Sequence, residues 1–195
     1  MSFLTDTAWP AGLLKIFDIC QQQPSPANQL YGPYTKLFSY CFGNSFDFVV
    51  TPVDPPSELS SSDDAESTAA LVVFRVDVQP RPVLLAEIKD GVWLTRADLR
   101  FKATEHMRQR YEAMVGECPL PRLWGLSLLG TSLRVYCSDV ATGDIKPAIE
   151  GRPSPGRALP SDFLEGAWDV DILSQEGFDT LKKFVKEIMG AAAAQ

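Results

Sequence analysis

Apolar residues recur along this chain with two spacings, one helical and one strand-like, and the spacings alternate in blocks. Leu13, Ile16, Phe17 and Cys20 stand at i, i+3, i+4 and i+7 behind Pro10, and Tyr34, Leu37, Phe38 and Cys41 repeat that spacing between Pro33 and Gly43. Both blocks predict amphipathic helices, with proline suited to a first turn and glycine to a C-terminal stop. Phe46, Phe48 and Val50 then alternate with their neighbours, predicting a strand that ends at Pro52. Residues 71–78 (LVVFRVDV) and 83–89 (VLLAEIK) are β-branched or apolar runs joined by Gln79-Pro80-Arg81-Pro82, which predicts a hairpin. Helical spacing returns over 98–115, where Leu99, Ala103, Met107, Tyr111 and Met114 form one stripe. Residues 123–129 and 133–137 read as a strand pair around Gly130-Thr131. Phe178, Leu181, Val185 and Ile188 mark a last helix, for which Ser174 is the expected N-cap.

The order is α, α, β, β, β, α, β, β, α, which predicts an α/β domain with a mixed central sheet flanked by helices. At 195 residues one domain is expected over the whole chain. The all-apolar Leu84-Leu85-Ala86 stretch and the short proline turn predict that strand 83–89 is central, beside 71–78, with helix 98–115 packed on the sheet.

Charge alters this picture in one region. The net charge is −7, which at first sight disfavours nucleic acid. Residues 54–68 (DPPSELSSSDDAEST) hold five acids and no base, so the rest of the chain carries only −2. That stretch offers little apolar area to offset the entropy of ordering, and a mobile loop is expected there. Residues 150–160 (EGRPSPGRALP) should form an extended connection. Residues 75–110, by contrast, hold eight bases against five acids. Four cysteines at 20, 41, 118 and 137 match neither a zinc site nor a disulfide framework. No apolar run approaches a membrane span, and the first twenty residues lack a basic signal-peptide start. The expected setting is intracellular, cytoplasmic or nuclear, with no membrane partner.

The candidate chemistry is Glu87-Ile88-Lys89. Alternation puts Glu87 and Lys89 on one face of a buried strand and Leu84, Ala86 and Ile88 on the other. Burying opposite charges side by side is costly, so a use is expected. One use is phosphodiester hydrolysis, with carboxylates holding a divalent cation and lysine orienting its bound water. The alternative is a structural ion pair at a strand end. Composition alone yields about one acid-x-Lys by chance, and Asp144-Ile145-Lys146 falls in a turn.

The segments RPVLLAEIKD, AxxHMRQRY, LWGLSLLGTSLRVY and WDVDIL, with LYGPYTKLFSYCF before them, resemble a group of uncharacterised fungal proteins. That group resembles the PD-(D/E)XK nuclease superfamily, and the likeness runs from Leu30 to Ile188. It implies a helix, three meandering strands, a helix and further strands. By position, Glu87 and Lys89 match the second acid and the lysine of the superfamily motif. The first acid falls at Ala69, which cannot ligate metal, and Glu66 and Asp47 are the candidate substitutes. Magnesium or manganese would then be bound weakly, if at all. His106, the only histidine, lies at the margin of the helix stripe and reads as a boundary packing residue with one hydrogen bond. The resemblance offers a second role, because relatives carry Gln there and nuclease helices direct such a Gln towards the motif strand. Arg110, one turn on, and Arg100 are then candidate phosphate ligands. The expected function is a PD-(D/E)XK nuclease-like protein with metal-dependent hydrolysis weak or lost. The alternative is a catalytically inactive interaction module binding a protein or a nucleic acid; the sequence leaves the oligomeric state open.

Overall fold

The computed structural model describes residues 3–22, 30–43, 46–53, 68–154 and 157–194. Apart from Thr68, the acidic stretch expected to be a mobile loop lies outside them. Helices α1 (Ala11–Gln21) and α2 (Tyr31–Phe42) precede strands β1 (Phe48–Val53), β2 (Thr68–Arg75) and β3 (Arg81–Lys89). Helix α3 (Ala97–Met114) leads into β4 (Arg122–Leu129) and β5 (Ser132–Asp139). The short strands β6 (Ile145–Lys146) and β7 (Val170–Asp171) follow, and α4 (Gln175–Ala193) comes last. The outcome is a mixed α/β architecture with an open seven-stranded sheet in the order β1-β2-β3-β4-β5-β6, with β7 also on β5.

Strand β3 is central, antiparallel to β2 and parallel to β4, as its apolar run predicts. The parallel step needs a crossover, and α3 supplies it. Cross-strand register then divides the sheet into two faces. Leu84 pairs with Trp124, and Trp124 stacks on Phe184 of α4 at 5.4 Å. Phe48, on the same face, meets Phe42 of α2. The main core takes in this face and part of the opposite one, and each fully buried Leu or Phe in it contributes about 1.5–3 kcal/mol.

The other face belongs to α3. Gly125 and Leu85 are paired, and a Cβ added at Gly125 would stand 2.5 Å from Tyr111 Oη and 2.7 Å from Met107 Cε. Any side chain at 125 would therefore force the buried ends of Tyr111 and Met107 to shift. Gly125→Ala should cost about 1–3 kcal/mol through overpacking, read as a lowered midpoint in urea unfolding. A midpoint within error of wild type would show that α3 shifts freely.

Two boundaries differ from the expectation. Pro52 lies inside β1 rather than ending it, because β1 is the outermost strand and its outer edge needs no ladder donor. Strand β2 starts earlier than 71 and ends at Arg75, leaving Asp77 and its neighbours in the turn. Strands β6 and β7 have two residues each, too short to announce themselves by alternation. Ser174 caps α4 by accepting from Gly177 N–H at 3.0 Å, as predicted. The four cysteines are free, with Cys41 and Cys118 buried. Among the described residues no helix is long and apolar enough to cross a membrane.

Candidate functional site

The α3-facing side of the sheet carries one polar row through an otherwise apolar layer. Register aligns Ala70, Glu87, Ser127 and Arg134 across β2, β3, β4 and β5. Glu87 and Lys89, two residues apart on β3, point to the same face. Glu87 is 2% exposed, Lys89 1% and His106 6%.

These three side chains converge on a single oxygen. Lys89 Nζ lies 2.7 Å from Glu87 Oε1, and His106 Nδ1 lies 2.9 Å from the same atom. Burial alone would raise the Glu87 pKa, but the charge of Lys89 and the His106 hydrogen bond outweigh it and pull it from 4.5 down to about 2. The carboxylate is thus ionised and has no proton to give, so Nδ1 of His106 carries the hydrogen and donates it. Glu87 Oε2 is buried and has no hydrogen-bond partner.

Trp93 closes the group from above. It sits in the 3-10 turn Gly91–Thr95, whose start is fixed by Asp90 accepting from Val92 N–H at 2.8 Å. Its ring centroid is 4.3 Å from Lys89 Nζ, a cation–π contact, and 6.0 Å from the His106 ring. On the next strand Trp168 Nε1 donates to Ser127 Oγ at 3.1 Å. Arg134 is stacked between Tyr136 and Trp168, its Cζ 5.1 and 5.4 Å from the two rings.

The residues expected to act together are only partly brought together. His106 is buried rather than at the boundary, with its one hydrogen bond made to Glu87 of β3. Arg100, a candidate phosphate ligand, is engaged with backbone: its Nε, Nη1 and Nη2 donate to the carbonyls of Phe163, Leu94 and Ser161 at 2.9, 2.6 and 2.7 Å. It ties the segment before α3 to the 161–163 loop. Arg110 is buried one turn beyond His106. Asp47 is exposed, and its carbonyl accepts from Val76 N–H beyond the end of β2. That point is six residues from Ala70, about 20 Å along the strand, so Asp47 does not stand with Glu87. Glu66 lies outside the described residues.

Register bears on the position expected for the first acid, Ala69. Ala69 pairs with Ile88, whereas Ala70 pairs with Glu87. The residue facing Glu87 across the β2–β3 ladder is therefore Ala70, not Ala69. Trp93, Ser127, Arg134, Tyr136 and Trp168 were not singled out by the sequence. The signal available was small: polar residues at alternate positions of β4 and β5, Ser127 and then Arg134 and Tyr136, interrupt two apolar strands.

A hard divalent cation takes several oxygen ligands. Glu87 offers only Oε2, since Oε1 already accepts from Lys89 and His106. Its strand neighbours Ala70 and Ser127 add no carboxylate. Among the described residues no group of three or more His, Cys, Asp or Glu is placed to hold a metal ion. Among the described residues, the row through Glu87 holds a single carboxylate.

No protein-family model matches the chain, and comparisons with curated proteins and with solved structures give no match.

Proposed function

We propose that this chain is a PD-(D/E)XK-like scaffold that has lost metal-dependent phosphodiester hydrolysis and uses the α3-covered face for binding. The observation that carries this reading is the saturation of Glu87 Oε1 by Lys89 and His106, with Ala70 opposite. An acid-x-lysine pair on a central strand, reached by a meander and followed by a crossover helix, matches the scaffold the sequence resemblance implies. In an active site of that type the carboxylate would turn its oxygens to a cation and the lysine would face a water. Here the two neutralise each other under Trp93 and are nearly excluded from solvent. A group that must polarise phosphate has no free charge to do so.

The test is cleavage of single- and double-stranded DNA and RNA by the full chain with magnesium or manganese. No cleavage above an EDTA-treated control is expected. EDTA-sensitive cleavage that Glu66→Ala or Asp47→Ala abolishes would overturn the reading, since the first acid would then have migrated and the enzyme would be intact.

A further inference from the structure

Among the described residues the buried charged side chains are Glu87, Lys89, Arg100, Arg110 and Arg134, four cations to one carboxylate. Lys89 takes up that carboxylate, and Arg100 is met by three carbonyls. Arg134 is the telling case. Its side chain is 9% exposed, and among the described residues the carboxylate within 4 Å of it is that of Glu150, at 3.9 Å, too long for a hydrogen bond. Glu150 itself is half exposed, so this ion pair is weak. Arg134 Nη1 is buried without a hydrogen-bond partner. Two residues along β5, on the same face, the Tyr136 hydroxyl is also buried without a partner.

From this we propose that Arg134 and Tyr136 form an anion subsite for a phosphate group, with Glu150 as a displaceable counter-ion at its mouth. Arg134 Nη1 is an orphaned donor, and the orphaned hydroxyls of Tyr136 and Ser138, on the same face of β5, can donate as well, so an oxyanion, which only accepts, suits the three. Burial, partly offset by Arg134, pushes the Tyr136 hydroxyl up to about 12, so it remains a donor at neutral pH. Trp168 and Tyr136 hold the guanidinium plane, which limits the entropy lost on binding. Lys89 offsets part of the charge of Glu87, which together with Glu150 also raises the Tyr136 pKa. Glu150, half exposed, marks the solvent side of the group. The subsite lies on the face assigned to binding above, but it rests on Arg134 and Tyr136 and not on the state of Glu87.

The experiment is calorimetric titration of the full chain with inorganic phosphate at constant ionic strength, beside melting curves in the same buffers. Saturable binding to one site is expected in wild type. Glu150→Gln should bind about threefold tighter or better, since the competing carboxylate is gone, and Arg134→Gln about tenfold weaker. If Arg134→Gln does not fold, Glu150→Gln decides, because Glu150 is exposed and its loss should leave the fold intact. A nucleoside 5′-monophosphate forms a parallel arm. Tighter binding than inorganic phosphate assigns the site to a phosphate ester, and equal binding assigns it to the free ion. No saturable binding in either wild type or Glu150→Gln overturns the proposal, as does unchanged affinity in Arg134→Gln. A failed cleavage assay leaves these titrations untouched, so the two readings fail separately.

Discussion

Glu87→Gln should lower the free energy of unfolding by about 3–5 kcal/mol, the cost of leaving a buried cation without its carboxylate. The substitution keeps the shape and still offers His106 an acceptor. What it removes is the charge that balances Lys89, which is 1% exposed and whose ammonium lies 2.7 Å from Oε1. The double variant Glu87→Gln with Lys89→Met removes both charges, and a buried pair replaced as a unit often costs little. It should recover most of the loss, and urea unfolding of the four proteins measures the coupling. A single variant within about 1 kcal/mol of wild type would show that the pair contributes little.

The same carboxylate sets an acid limb of stability. Its folded pKa of about 2 lies below the ordinary 4.5, so the unfolded chain takes up the proton first as pH falls. The contribution is therefore whole above about pH 4.5 and is lost as pH drops towards 2. Its size is on the order of 3 kcal/mol. Unfolding free energies at several pH values between 6 and 2 should show this loss in wild type and much less of it in Glu87→Gln.

The sequence was most legible where one side chain's environment follows from its own element. The 3.6-residue stripe of Leu99, Ala103, Met107 and Tyr111 buries as expected. Period-two alternation alone puts Glu87 and Lys89 on one face and Ile88 on the other. Legibility stopped where long-range placement decides. A helix wheel sets Arg100 about 100° from Leu99, on the flank of the stripe, and gives no sign that it is captured by the carbonyls of a loop more than 60 residues away. Asp47 was a candidate ligand because its strand adjoins the right strand, but antiparallel pairing puts it at the wrong end. That Ala70 and not Ala69 pairs with Glu87 depends on register, which no single strand encodes. Trp93 and Trp168 arrive from a 3-10 turn and an irregular loop, where no period exists to read.

Ala70→Asp should destabilise the protein by about 3–5 kcal/mol without metal, and manganese should restore part of that loss. Ala70 is 4% exposed and stands directly across from Glu87. Opposed Cβ atoms in such a ladder are about 4.5–5.5 Å apart, so a new carboxylate there meets Glu87 in a dry environment. Two carboxylates facing each other repel, and Lys89 can neutralise only one. A divalent cation between them removes the repulsion and gains two hard anionic oxygens, with Glu87 Oε2 free to serve as one. For a domain of this size, each kcal/mol corresponds to about 2–4 °C in Tm. Manganese should therefore raise the Tm of Ala70→Asp by several degrees, and leave wild type and Ala70→Asp with Glu87→Gln unmoved. The paired control is Ala69→Asp, which register places across from Ile88 and which should gain nothing from metal. A metal response in Ala69→Asp and none in Ala70→Asp would mean that the β2–β3 register is shifted by one residue in solution, and the donor geometry around Glu87 would have to be rebuilt on that register.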